Sequence, residues 1–478
     1  MSFIGLDLGT SSLKAILIND AQQVLAEHTV PLSVERLHDG WSEQDPQSWC
    51  DAAVTALRAL AAKADCSGVA GIGLAGHMHG ATLVDADGVP LRPCMLWNDT
   101  RSHAEAAAMD ADPRFREITG NIVFPGFTAP KVEWVRRHEP EIFAKTAHIL
   151  LPKDYLRLFL TGEYASEMSD AAGTAWLDTA ARDWSDALLN ECHLSRSQMP
   201  TLVEGSAPSG KLRASLAADL GLPQMIIAGG AGDNAAAAIG AGVVQDGTAF
   251  LSLGTSGVLF AANDGYRPDP ASAVHTFCHA VPGTWHQMGV ILAASDALEW
   301  LSRLTGQSAA ALTSDLGPVE APSRTLFLPY LGGERTPHND ASIRGQFLHL
   351  DHATDARAAT RAVLQGVSFA FADNQAALAA TGTKIGSALA LGGGAKSAHW
   401  LSMLASTLGI QLDVPKDGDF GASLGAARLG MMAATGAGIE IATQPPLAQT
   451  VAPDAALSGA MQDGYARYRA AYAALKAL

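Results

Sequence analysis

Basic residues are scarce in this chain of 478. Lys and Arg number 32 against 48 Asp and Glu, a formal net charge of −16 with an isoelectric point of about 5.3. That balance argues against a nucleic-acid partner or an anionic membrane surface, which call for clustered Lys and Arg. A phosphate compound can still be held locally, by backbone amides and helix starts. Cysteine is sparse too. The five, at 50, 66, 94, 192 and 278, are scattered, odd in number and free of any C-x-x-C spacing, which argues against a disulfide framework and a zinc cluster. No apolar run reaches membrane-spanning length, and no basic stretch of signal form leads into "MSFIGLDLG". The expectation is a cytoplasmic protein without a membrane partner.

What is present is core-forming material: 48% hydrophobic and 17% charged residues, in a length that suggests about two to four domains. "FIGLDLG" (3–9) and "KAILIND" (14–20) read as a hairpin joined by "TSS", and "QQVLAEHTVPL" (22–32) as a third strand. "DPQSWCDAAVTALRALAAKA" (45–64) has a capping Asp45, a first-turn Pro46 and helical spacing. "VAGIGLAG" (69–76) reads as a buried strand. A second copy follows. "GTAFLSLGTSGVLFAAN" (247–263) repeats strand, turn and strand, and "ALALGGGAKSAHWLSMLASTLG" (388–409) gives strand, glycine turn and helix. "QLDVP" (411–415) and "GDFGASLGAARLGMMAATG" (418–436) add a strand and a turn plus helix. The repetition predicts two duplicated α/β domains, 1–244 and 245–478, with "GAGVVQDG" as the hinge.

Three turns carry chemistry. In "DLGTS" (7–11), Asp7 closes an apolar strand, Gly9 permits close approach, and Thr10 and Ser11 offer hydroxyls and amides to phosphate oxygens. The second copy, "SLGTSG" (252–257), keeps Gly254, Thr255 and Ser256 without the carboxylate. "GGGAKS" (392–397) lacks the Walker spacing, which excludes a P-loop, yet Gly392, Gly393, Gly394 and Ala395 let a base or ribose lie on the backbone. In "GGAGDNAAAAIG" (229–240), Asp233 stands between a glycine turn and a helical run. A helix cap explains it, and so does a positioned carboxylate; the stretch alone leaves both open. In "HMHG" (77–80), two His at alternate positions invite a metal reading, but no third ligand lies nearby.

Taken in order, these segments resemble the FGGY-family carbohydrate kinases of the actin–hexokinase–Hsp70 class. The resemblance spans nearly the whole chain. It includes "WSEQDPQSW" (41–49), "GLAGHMHGATLVD" (73–85), "LWNDTR" (96–101), "NIVFPGFTAPKVEWVRRHEP" (121–140), "LLPKDYLR" (150–157), "SDAAGTAWLD" (169–178) and "FLPYLGGERTPH" (327–338). The second family signature (345–366) departs from the pattern: His349 stands where Gly is usual, and Ala358-Ala359 where an acidic and an apolar residue are common.

The resemblance implies two actin-like, ribonuclease H-like α/β domains around a central cleft, and ATP-dependent sugar phosphorylation. It assigns Asp233 as catalytic base, since a primary hydroxyl needs a proton acceptor as the phosphoryl transfers. Asp7 is the expected Mg²⁺ ligand, with Thr10 and Ser11 at the phosphoryl group. The expected sugar contacts are Met78, His79, Trp97, Asp99 and Asp233. ATP is expected on Gly254, Thr255, Ser256, Gly392 to Ala395 and "GDFGA" (418–422). D-xylulose is the implied acceptor, with another ketose or polyol (ribulose, xylitol, gluconate) or a non-catalytic actin- or Hsp70-like ATPase as alternatives. A homodimer stays open. Lys131, Lys153-Asp154 and "GERTPHND" (333–340) receive no catalytic role.

Overall fold

The computed structural model describes residues 1–416 and 421–476. β1 (Ser2–Leu8) and β2 (Ser12–Asn19) form the expected hairpin, with Asp7 opposite Lys14, and β3 (Val24–Pro31) pairs with β2. A two-residue strand, β4 (Glu43–Gln44), precedes α1 (Pro46–Lys63). That helix starts as its sequence predicts. Asp45 accepts the Gln47 N–H at 3.0 Å, and Pro46 fills a position with no donor to lose. Its inner face buries Trp49, Ala53, Leu57 and Leu60 completely, each large side chain contributing about 1.5–3 kcal/mol. β5 (Val69–Gly76) runs parallel to β1.

The first sheet has the order Pro208–Lys211, Ile226–Ala228, β5, β1, β2, β3, and Ala231–Gly232 also pairs with β5. Apart from Ser2 and Asp7 at the ends of β1, β1 and β5 are apolar because both faces of this sheet are covered. The second sheet repeats the scheme. Its order is His275–Cys278, Trp285–Ile291, Gly257–Asn263, Ala249–Leu253, Ser387–Leu391, Gln411–Pro415, Leu447–Val451. In each sheet antiparallel strands lead to a strand parallel to the first member: β5 beside β1, and Ser387–Leu391 beside Ala249–Leu253. This is the two-domain actin-like α/β fold.

One helix departs from the expected partition. Gly421–Thr435, from the second half, packs on β1, β5 and the helix Asp233–Ala241 of the first half. Glycine makes the approach possible: a Cβ on Gly73 would sit 1.7 Å from Ala426 O, and one on Gly425 would sit 1.8 Å from Ala236 O. The helix therefore belongs by packing to the first sheet, although in sequence it lies between two strands of the second. Residues 418–420 of the expected "GDFGA" contact lie outside the described residues.

All five cysteines are free and buried. Among the described residues no helix is long and apolar enough to cross a membrane. His349, the departure in the second signature, adopts a left-handed φ of 59° in an exposed turn. Glycine takes that conformation without strain, whereas His does not.

Candidate active site

The carboxyl ends of neighbouring parallel strands bring the first group of residues together. Asp7 is level with Ala75 of β5, which is level with Ala231; Gly76 is level with Gly232. Asp7, the turn 77–80 and Asp233 therefore leave the sheet along one edge, where open α/β sheets bind ligands. The turn 77–80 is anchored by the His77 N–H, which donates to Leu8 O at 2.9 Å.

Asp233 heads the helix Asp233–Ala241, and its Oδ1 accepts the Asn234 N–H at 2.7 Å and Asn234 Nδ2 at 2.9 Å. Gly232 is the N-cap and no side chain caps this helix, so Oδ1 is engaged only by Asn234 and Oδ2 is left available. Burial raises the Asp233 carboxyl, and the two Asn234 bonds partly offset this. Asp7 is pushed up to about 7, first by burial and then by the like charge of Asp233, with Lys14 opposing. Two partly exposed carboxylates, one raising the other, suit a cation. Mg²⁺ commonly uses one or two carboxylates plus phosphate oxygens rather than a protein cage. No group of three or more His, Cys, Asp or Glu positioned for a metal occurs among the described residues.

Met78 is buried against this turn: a Cβ on Gly232 would meet its Cγ at 2.9 Å. His79 has a left-handed backbone, φ 71°, held by two donors to its carbonyl, Lys131 Nζ at 3.0 Å and Thr128 Oγ1 at 3.1 Å. Lys131 also donates to Gly126 O at 2.7 Å, and burial lowers its ammonium to about 7. It braces the turn. The His79 ring stacks on Phe127 with centroids 4.7 Å apart, and its Nδ1 lies 2.7 Å from Gly173 O. Burial holds the imidazole neutral, down to about 3. A carbonyl only accepts, so Nδ1 carries the proton and Nε2 is left as an acceptor for a ligand hydroxyl.

His77 is different. It is buried edge-on to Trp49 at 5.8 Å, and both ring nitrogens lack a hydrogen-bond partner. β5 ends at Gly76 and His79 breaks the extended backbone, so the alternate-residue rule behind a two-His metal site does not reach this turn.

"LWNDTR" divides between two environments. Trp97, half exposed, donates Nε1–H to Thr10 Oγ1 at 3.0 Å and so joins the first hairpin turn. Gln44 steadies that turn from behind, donating to Thr10 O at 2.7 Å, while Ser11 stays exposed. Asp99 corrects the expectation of a sugar contact. It is fully buried, with its oxygens taken by Arg101 Nε at 2.9 Å, Arg101 Nη2 at 2.6 Å and the Ser42 N–H at 2.7 Å. Arg101 also reaches Glu43 at 2.8 Å and lies 3.5 Å over the Trp41 ring. Asp99 balances a buried guanidinium, and its desolvation leaves it unavailable to a hydroxyl.

The second sheet repeats the edge. Gly254–Ser256 and Gly392–Ala395 leave adjacent parallel strands, and a Cβ on Gly392 would meet Leu253 O at 2.8 Å. Beside them opens a cavity of about 910 Å³ lined by Thr255, Gly393, Gly394 and, unforeseen from sequence, Asp296, Glu299 and Lys396. Its size suits a nucleotide. Gly254, Ser256, Gly392 and Ala395 do not line it; Gly254 O accepts from Ser295, and Ala395 is buried. These four shape the turns that bear the lining residues. Lys396 had a signal in the charge that closes "GGGAK". Asp296 and Glu299 lie on the helix Ser295–Thr305, whose pattern says only that it is amphipathic.

The FGGY family of carbohydrate kinases matches in two parts, its N-terminal domain over residues 2–240 and its C-terminal domain over 249–434. The xylulose kinase of Escherichia coli (strain K12) is 49% identical over 479 residues, covering 98% of each chain. A crystal structure of a xyloylose kinase from Brucella ovis is 57% identical with a TM-score of 0.98, covering 100% of both chains. The xylulose kinase from Rhodospirillum rubrum is 28% identical with a TM-score of 0.92, covering 100% of this chain and 99% of its own.

Proposed function

Because this chain belongs to the FGGY family of carbohydrate kinases, we propose that it transfers the γ-phosphoryl group of ATP to the primary hydroxyl of D-xylulose, giving D-xylulose 5-phosphate in pentose catabolism, with Asp233 as general base. The observation that carries the reading is the meeting of Asp233, Met78 and a neutral His79 at one sheet edge, beside Asp7. The relatives named above, 49% and 57% identical over essentially their full lengths, support the choice of sugar.

The chemistry then follows from the residues. The sugar lies against Met78 and Trp97, with a hydroxyl donating to His79 Nε2. Asp233 Oδ2 accepts the proton of the attacking hydroxyl as its oxygen bonds to the γ-phosphorus and the bridge to ADP breaks. The first-turn amides of Asp233–Ala241 face the transferring group and favour its charge. Asp7 holds Mg²⁺, which when bound neutralises charge on the phosphate oxygens. ATP occupies the cavity beside Thr255, Gly393 and Gly394. The two halves, 1–244 for sugar and 245–478 for ATP, close to exclude water. This reading places the enzyme in the cytoplasm with both small molecules as its partners.

The test is ADP release with D-xylulose, ribulose, xylitol and gluconate, measured for wild type and Asp233→Asn. We expect D-xylulose to give the highest kcat/KM and the variant, which keeps size and shape, to lose about 10²–10⁴ in turnover. Turnover by Asp233→Asn within a few-fold of wild type would sink the base assignment; a preference for another acceptor would replace the sugar.

A further inference from the structure

The segment 167–174 touches both halves of the sugar site without being part of it. Glu167 caps its own short helix, accepting the Ser169 N–H at 2.7 Å, the Asp170 N–H at 2.9 Å and the Ser169 hydroxyl at 2.8 Å. Ser169 Oγ in turn accepts the Gly232 N–H at 3.1 Å, one residue before Asp233. Four residues further along, Gly173 O accepts the His79 Nδ1–H at 2.7 Å. The other end of the glycine turn is gripped as well, since Arg157 Nη2 donates to Gly229 O.

Behind this contact lies a cluster of ionisable groups. Lys153, Asp154, Arg157, Glu167 and Asp170 are all fully buried. Lys153 Nζ is 2.6 Å from Asp154, 3.3 Å from Asp170 and 3.6 Å from Glu167, and Arg157 is 3.0 Å from Asp154. Asp170 Oδ1 has no hydrogen-bond partner, and Oδ2 meets the Lys153 ammonium at 3.3 Å. Burial beside Asp154 and Glu167 pushes the Asp170 carboxyl well above its ordinary value. Lys153 and Arg157 thus stand among three buried carboxyls, those of Asp154, Glu167 and Asp170. Apolar residues of similar volume often serve stability as well as a buried ionic cluster does, whereas fixing one geometry is a role such clusters can fill.

We propose that Ser169, held by Glu167 and the Lys153 cluster, is a positioning residue for Asp233, and that the segment 167–174 sets the Asp233 turn and the His79 tautomer together. The inference rests on Asp233 being the base. Ser169→Ala removes the acceptor of the Gly232 N–H and the hydroxyl bound to Glu167. A displacement of about 1 Å at a reacting group can lower rate 10²-fold, so Ser169→Ala lowers kcat by about 10–100-fold. The KM values for D-xylulose and ATP stay within about threefold, because neither substrate touches Ser169. Ser169→Thr keeps the hydroxyl and recovers most of kcat.

The experiment is a double-mutant cycle of Ser169→Ala with Asp233→Asn, read as kcat and both KM values, with Ser169→Thr beside it and thermal melts reporting folding. The expected result is that Ser169→Ala costs little further once Asp233 is Asn. Wild-type kcat in Ser169→Ala overturns the proposal. So does an equal loss in both backgrounds, or a well-folded Ser169→Thr as slow as Ser169→Ala. Should Ser169→Ala fail to fold, Ser169→Thr and Glu167→Gln carry the same cycle. Near-normal turnover in Asp233→Asn alone identifies a failure of the base assignment instead.

Discussion

Two hairpin turns of nearly the same sequence do different work here. "DLGTS" and "SLGTS" differ at their first residue, Asp7 against Ser252, and both leave a central strand beside a parallel neighbour. The first turn is braced on Gln44 and Trp97, and its carboxylate faces Asp233. In the second, the backbone is tied to the helix start at Ala294–Asp296, while the Thr255 and Ser256 side chains remain exposed. The same scaffold occurs twice; in the proposed reading, the single carboxylate separates a turn suited to the reacting phosphoryl group from one suited to cradling a nucleotide.

The largest effect comes from erasing that difference. Asp7→Ser gives the first turn the residue of the second. Turnover falls by about 10²–10³-fold, the scale of losing one group that stabilises transition-state charge. D-xylulose affinity by calorimetry changes little, and loss of sugar binding with normal turnover would contradict the role. Next comes the sugar side of the comparison. An unpaired buried polar group costs about 1–3 kcal/mol, so His79→Ala lowers kcat/KM for D-xylulose by about 10–100-fold. Met78→Ala acts more mildly and widens the range of accepted ketoses. Steady-state kinetics on xylulose, ribulose and xylitol decide, and unchanged xylulose kinetics in His79→Ala would move the sugar site.

The nucleotide turn gives a smaller, separable effect. Thr255→Val keeps shape and removes the hydroxyl at the cavity, raising the ATP KM by about 2–10-fold, the range of one net hydrogen bond. The D-xylulose KM should not move; equal changes in both would mean the turns are not specialised. The smallest effect is on stability. Folding favours protonated Asp7, whose carboxyl stands at about 7 against an ordinary 3.8. Its contribution is intact below the ordinary value and is lost as pH rises through 7. Asp7→Asn therefore melts a few degrees higher than wild type at about pH 8, and the gain fades towards pH 4. A lower melting temperature for the variant at pH 8 would show that the carboxylate is stabilised there by a partner.

Much of the fold was legible because it is local. Period-two and helical patterns, Asp45 with Pro46, and the repeated Gly-Thr-Ser turn each name an element from a few adjacent residues. The resemblance then supplied roles for Asp7, Met78, His79 and Asp233, residues that one sheet edge brings together. Asp99 misled because a carboxylate in a polar motif looks available until its partner is known. That partner, Arg101, is two residues away, but Trp41 and Glu43, which help bury the pair, come from some sixty residues earlier.

By itself the sequence determined the duplicated α/β scaffold, the glycine turns and the carboxylate unique to one of them, since hydrophobic period and backbone freedom act over neighbouring residues. Only the tertiary structure decided that the helix Gly421–Thr435 completes the first domain, that Asp99 is spent on Arg101, and that Ser169 and Gly173 reach the Asp233 turn and His79. Those outcomes depend on which distant groups are desolvated together. A buried charge or N–H must find its partner across the fold, and no local pattern records where that partner will be.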